Sequence, residues 1–228
     1  MWLNFLEVAL LGGVICLDRV ALQVMISRPL VAGTVIGLAL LEPFTGLIVG
    51  AFIELLWIDR SPVGLYIPPN DTIAAVLATA GAILAGRDMV SHPREMIALA
   101  IILFLPFGFL AQRVDTWIIK SNVRISERVV EYARLGDIKR LARTHMNGLV
   151  KTFVGAFFVI LVCLAPGVAI LNWAFPILPE RVLKVLLYAY FFIPILGIAV
   201  ALSTIKLRGA VPVFAGLFLL ATLILKIF

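Results

Sequence analysis

Two uninterrupted stretches without charge govern what this chain can fold into. Thr152 to Pro179 holds no Asp, Glu, Lys or Arg over 28 positions, and Val185 to Ile205 holds none over 21. A helix rises about 1.5 Å per residue, so ~20 apolar residues cross the ~30 Å hydrocarbon core of a bilayer. Backbone polar groups find no water at that depth, which makes a helix the natural spanning structure. Met96 to Gln112 and Gly209 to Leu225 are slightly shorter, and each can extend past a flanking charge that snorkels to the interface. Hydrophobic residues make up 63% of the 228 and charged ones only 14%, with mean hydropathy +1.13. Soluble domains carry about a quarter charged residues. An all-α integral membrane protein follows, with about six transmembrane helices.

The amino terminus is expected to be a retained first membrane segment, Leu3 to Leu17. It lacks a basic leader region, and Asp18-Arg19 stands where a small-residue cleavage site would be needed. Cys16 and Cys163 lie in apolar segments and read as small buried hydrophobes.

Charge is distributed unevenly. Eight of the 19 basic residues fall between Lys120 and Lys151, opposed there by Glu127, Glu131 and Asp137. That is the pattern of a cytoplasmic loop in a multi-pass protein. Nucleic acid is not indicated as a partner, since no aromatic interleaving or recognition motif accompanies the charge. Arg124 to Met146 is compatible with helix, with Ile125, Val129, Tyr132, Leu135, Ile138 and Leu141 spaced at three or four. Gly136 interrupts it just before Asp137, which can cap a second helix. Two readings stay open: a surface element lying on anionic membrane lipid, or a dock for an acidic soluble partner. With this loop inside, residues 152–179 exit, 185–205 return with Lys206 and Arg208 inside, and 209–228 cross out again. Pro166, Pro194 and Pro212 should kink or start helices.

The first 95 residues differ in kind. Arg28, Glu42, Glu54, Asp59, Arg60 and Asp71 interrupt apolar sequence together with Pro29, Pro43, Pro62, Pro68 and Pro69. The apolar runs between them, Pro29 to Leu41, Pro43 to Ile53 and Thr72 to Gly86, are too short to span. They predict half-helices or re-entrant hairpins. A single membrane domain, 1–228, therefore divides into a broken-helix region (1–95), a span (96–119), a basic amphipathic loop (120–151) and terminal spans (152–228). Gly33-x-x-x-Gly37 and Gly46-x-x-x-Gly50 each place two glycines on one helix face, where backbones can approach closely.

Charge at membrane depth is costly and marks solute pathways. Glu54 sits among apolar residues on every side, so it must meet a donor such as Arg28 or Arg60, or face water or a ligand. Asn70-Asp71 directly follows Pro68-Pro69 and precedes an apolar run. Either residue can cap a half-helix there, and such caps are also where transporters place substrate contacts. Trp57 and Tyr66 flank this region, as ligand platforms or as interfacial anchors. His92 and His145 lie in polar loop sequence. No P-loop, CxxC, HExxH or GxSxG motif occurs, so no cofactor, metal or ATP-driven step is indicated.

Ser27-Arg28-Pro29-Leu30 through Gly37, Thr45 to Gly50, Glu54 and Pro68-Pro69-Asn70-Asp71, in that order and spacing, resemble one known family. It is the IIC membrane subunit of the mannose/fructose/sorbose family of the phosphoenolpyruvate-dependent sugar phosphotransferase system (PTS). The match is strongest over residues 1–86 and collinear to the end. Asp59-Arg60 and the extra residue in the Pro68-Pro69 turn depart from the family pattern. The resemblance implies a hexose permease component of the bacterial inner membrane that carries no phosphoryl group itself. It implies a homologous IID membrane partner, assembly as a trimer of IIC–IID heterodimers, and soluble IIA and IIB phosphocarriers. On that basis Glu54 and Asp71 are expected to accept sugar hydroxyls. Asn70 is expected to hydrogen-bond the sugar, with Arg28 as counter-charge and Trp57 as ring contact. Other readings are a membrane scaffold recruiting cytoplasmic proteins through residues 120–151, or a proton-coupled transporter with Glu54 or Asp59 as relay.

Overall fold

A computed structural model describes residues 1–60, 64, 66–87, 92–204 and 209–225. The side chains of 124, 127, 210, 211 and 221–225 are not included. Ser61, Pro62, Asp88, Lys206 and Arg208 lie outside the described residues. Among the described residues every regular element is helical. Helix α1 (Trp2–Leu17) runs into a π-helical turn at Asp18–Leu22, followed by α2 (Pro29–Ala39), α3 (Pro43–Leu56) and α4 (Asp71–Gly86). Then come α5 (Pro93–Phe104), α6 (Phe107–Arg134), α7 (Ile138–Ala174), α8 (Glu180–Thr204) and α9 (Ala210–Leu225). Proline occupies the first helical position of α2, α3 and α5, where its missing N–H costs nothing.

Among the described residues, three stretches are long and apolar enough to cross a membrane: Pro93–Val123, Ile138–Ile177 and Glu180–Thr204. Helices α2, α3 and α4 have 11, 14 and 16 residues, and are the half-helices the proline and charge pattern predicts. At 1.5 Å per residue they reach only ~16–24 Å. Helices α2 and α3 form a hairpin so tight that their backbones touch. A Cβ at Gly33 would lie 2.6 Å from the Gly46 carbonyl oxygen, and one at Gly37 2.7 Å from that of Glu42. Helix α4 is buried on all sides from Thr72 to Ala85, enclosed by α1, α2, α3, α5, α6 and α7. Small residues (Ala74, Ala75, Ala78, Gly81, Ala82) allow that many neighbours to close in.

The expected span from Met96 to Trp117 falls inside Pro93–Val123, with its helix interrupted at Leu105-Pro106 between α5 and α6, because Pro106 has no N–H for the ladder. One expectation is corrected: Arg124 to Met146 is not a separate surface element. Its halves are the ends of α6 and α7, joined at Leu135–Asp137 in a helical hairpin. Gly136 takes the left-handed conformation (φ +69°) and the Asp137 carboxylate accepts the Arg140 N–H at 3.0 Å. The apolar stripe holding Ile125, Val129 and Leu141 is half-buried between the two arms.

Candidate functional site

Pro68-Pro69 deliver an extended chain into α4, and Asn70 stops it. The Asn70 carbonyl oxygen Oδ1 accepts the Ile73 N–H at 3.0 Å, capping the helix. Its amide Nδ2 donates to Asp115 Oδ2 of α6 at 2.8 Å, and its backbone N–H donates to the Gly108 carbonyl at 2.9 Å. Asn70 is 2% exposed, so these bonds consume a side chain that burial would otherwise penalise. Next door, Asp71 Oδ1 accepts from Arg19 Nη1 and from the Thr72 N–H, both at 2.9 Å. The Thr72 hydroxyl donates to the Ser27 carbonyl at 2.6 Å.

Asp18 organises the opposite wall. Its carboxylate accepts from the Val24 N–H (2.8 Å), the Ser27 N–H (3.0 Å) and the Ser27 hydroxyl (2.8 Å). Those bonds hold a turn in which Gln23 and Met25 adopt positive φ of 55° and 68°, a conformation unfavourable for residues with a Cβ. Between this turn, α3 and the start of α4 lies a cavity of about 300 Å³, lined by Asp18, Arg19, Arg28, Trp57 and Asp71 among others. That is the lower end of small-molecule sites, which run from about 300 to 1,000 Å³.

The expected site residues therefore separate. Asp71, Arg28 and Trp57 line the cavity. Asn70 sits behind it with its amide committed to Asp115 and α4. Glu54 is engaged elsewhere: its Oε2 accepts the Leu30 N–H at the start of α2 at 2.9 Å, with Oε1 3.7 Å from Arg28 Nη1. Trp57 packs edge-on to Phe109 at 5.8 Å, in a gap that exists because residue 108 is glycine. Asp59 pairs with its neighbour Arg60 at 3.4 Å. Asp18, Arg19 and Asp115 were not expected as site residues, although each is a charge interrupting apolar sequence and so carried the signal that marked Asp71.

The cavity has a definite level in the bundle. Gly155 of α7 faces Ile118, and Lys151 Nζ donates to Ser121 Oγ at 3.1 Å. Asp115 lies six residues before Ser121, ~9 Å along α6. Gly12 and Gly13 of α1 face Ile160 and Phe153 of α7, so α1 runs toward the same end. The cavity thus lies toward the end of the bundle from which the α6–α7 hairpin emerges. At the far end of α4 a second cavity, of about 240 Å³, is lined by Glu42, Thr45 and Arg87 with apolar residues.

A bundle of long membrane helices around an enclosed half-helix, whose capped start opens on a small polar cavity, defines a solute-translocating membrane protein. Residues 2–227 match the profile of the family described as "PTS system sorbose-specific IIC component", and the chain belongs to it. It is 28% identical over 194 residues to the fructose permease IIC component of Bacillus subtilis (strain 168), covering 85% of this chain and 69% of that protein. It is 28% identical over 191 residues to the PTS system sorbose-specific EIIC component of Klebsiella pneumoniae, covering 82% and 68%. The fold is similar to a chain in the cryo-EM structure of the mannose transporter ManYZ in complex with microcin E492. The TM-score is 0.63 at 20% identity, over 97% of this chain and 87% of that one. The protein is a sugar-translocating membrane subunit of a mannose-family PTS, multi-pass in the inner membrane.

Proposed function

We propose that the cavity bounded by the Asp18–Arg28 turn, Trp57 and Asp71 receives one hexose, and that Asp71 accepts its hydroxyls. One observation carries this reading. Asp71 is the first residue of a half-helix enclosed within the bundle, and its carboxylate lines a cavity together with three guanidinium groups (Arg19, Arg28 and Arg60) and an indole. A helix start presents N–H donors, carboxylates accept hydroxyl protons, and an indole face suits the apolar face of a sugar ring. Arg19 orients the Asp71 carboxylate through its 2.9 Å bond, and Arg28 lines the same cavity. Asn70 and Asp115 act at one remove, by fixing where α4 begins.

The basic hairpin belongs on the cytoplasmic side by the positive-inside rule. The cavity then faces the compartment where a PTS sugar is phosphorylated, and the Glu42–Thr45–Arg87 cavity faces the outside. A homologous IID subunit is the membrane partner in this reading, as trimers of IIC–IID heterodimers, with soluble IIA and IIB supplying the phosphoryl group. The test uses membranes holding this chain with IID plus soluble IIA and IIB, assayed for phosphoenolpyruvate-dependent phosphorylation across hexoses and amino sugars. Phosphorylation of one sugar, lost when this chain is omitted, is the expected result. Activity unchanged in Asp71→Asn would remove the site, and no phosphorylation of any sugar would remove the hexose reading.

A further inference from the structure

The basic segment between Lys120 and Lys151 takes no part in the cavity. Helix α6 continues unbroken past Val123, the end of its apolar stretch, to Arg134, and α7 runs from Ile138 into the charge-free run that opens at Thr152. At 1.5 Å per residue the two arms stand ~16 Å and ~20 Å beyond the membrane-spanning parts. Each arm is the same helix as its membrane part, so the hairpin cannot lie down on lipid without breaking both helices. The headgroup layer takes up the first ~5–7 Å of that length, so the tip stands about one to two Debye lengths beyond the headgroups at physiological salt, where a Debye length is ~8 Å. Attraction to anionic lipid is largely screened at that distance.

The surface carried out there has a definite chemistry. Arg128, Arg134, Lys139, Arg140 and Arg143 are exposed. Among the described acidic side chains of the hairpin, Glu131 is exposed, whereas Asp137 caps α7 and pairs with Arg140 at 3.1 Å. Leu135 and Ile138 stand at the tip, 70% and 77% exposed. An apolar centre ringed by cations is the anatomy of a protein interface whose partner presents acidic residues around an apolar patch.

We propose that the α6–α7 hairpin is the dock for an acidic face of a soluble protein, seated on Leu135 and Ile138 and steered by the surrounding cations. This inference rests on the sugar-translocating reading, in which a soluble phosphoryl donor must approach the cavity from the basic side. Arg134 lies 19 residues from Asp115 along α6, ~28 Å, which is about the diameter of a small domain. A donor gripping the tip spans that length and brings its near end to the cavity mouth.

The experiment uses the chain assembled with IID in nanodiscs, with purified soluble IIB as probe. Affinity is measured by calorimetry at low and physiological salt, in discs of phosphatidylcholine alone and with phosphatidylglycerol. The wild type is expected to bind IIB in neutral discs, more weakly as salt rises. Combined Arg134→Glu, Lys139→Glu and Arg143→Glu should weaken binding roughly tenfold or more, whereas Arg134→Lys with Arg143→Lys retains it. Sugar affinity, measured separately, should be unchanged in both variants, which shows that they fold. Wild-type affinity in the reversed-charge variant, or binding that requires phosphatidylglycerol, overturns the proposal. Failure of the wild type to bind any hexose would instead count against the sugar site, since that measurement contains no IIB.

Discussion

The ion pair between Arg19 and Asp71 ties the turn after α1 to the first residue of α4, 52 positions away, and its removal has a calculable effect. The two side chains meet at 2.9 Å and are 23% and 29% exposed. With ~4 Å between charge centres and an effective dielectric near 20, the attraction is about 4 kcal/mol before desolvation is subtracted. Exposed pairs retain about 0.2–1 kcal/mol, and stripping one partner from a fully buried pair costs about 3–5 kcal/mol. Two mostly buried but still wetted groups fall between, so a coupling of about 1–2 kcal/mol is expected here. Arg19→Met keeps the aliphatic stem but leaves the Asp71 carboxylate without its closest cation, and should be the more harmful single change. Asp71→Asn is milder, because an amide oxygen still accepts from Arg19 and from the Thr72 N–H. The double variant should recover part of the Arg19→Met loss. Thermal unfolding of the purified complex reads this directly, at about 2–4 °C per kcal/mol for a chain of this size. Sugar affinity, measured alongside, should fall in both Asp71 variants. Stability changes that add to within about 0.3–0.5 kcal/mol would show that the two groups do not sense each other, and would refute the reasoning.

Three further outcomes follow from the same geometry. Asp115→Leu leaves the buried Asn70 amide without its acceptor and should cost about 1–3 kcal/mol of thermal stability, while Asp115→Asn keeps an acceptor and recovers most of it. Gly46→Val drives a side chain into the Gly33 backbone of α2, and should destabilise the hairpin by about 1–3 kcal/mol or more, seen as loss of monodisperse protein. Gly216→Ala, whose Cβ meets nothing within 4 Å, is the control and should be neutral to stabilising. Glu54→Gln keeps an acceptor for the Leu30 N–H, so it should lower transport less than Asp71→Asn. Glu54→Ala should destabilise the start of α2 by about 1 kcal/mol, as loss of a helix cap does.

The elements legible in the sequence are those defined by local chemistry. Proline at the first turn and apolar runs of fixed length located α2, α3 and α4 to within a few residues. The Asn70 cap and the Gly136–Asp137 reversal follow from backbone rules that need no tertiary knowledge. What escaped depends on partners far along the chain. Asp115 reaches Asn70 across 45 positions, and Glu54 reaches the Leu30 N–H across 24. An apolar setting showed that Glu54 needed a donor without showing that α2 would supply it. In residues 124–146 the spacing revealed an apolar stripe, but a stripe looks the same whether it faces lipid or a second helix. The break at Leu105-Pro106 was hidden by apolar residues on both sides of it, so the span was legible but its interruption was not.

The polar residues of the broken-helix region answer one physical problem in two ways. A helix that starts inside a membrane protein leaves N–H groups without partners, and each costs free energy unless something polar reaches it. In α2 that group is Glu54, brought across by the glycine-lined contact with α3; in α4 it is Asn70, aimed by Asp115 from α6. Both groups have geometry dictated by the backbone they cap, which leaves them little freedom to follow a ligand. Asp71 is different: one oxygen closes α4 through Thr72 and binds Arg19, and the same carboxylate lines the cavity. A sugar drawing on that carboxylate would compete with Arg19 and loosen the link between the α1 turn and α4. Ligand occupancy and the packing of the enclosed half-helix are therefore coupled through a single side chain, so substitution at Asp71 should change sugar affinity and stability together, whereas substitution at Glu54 should act chiefly on stability.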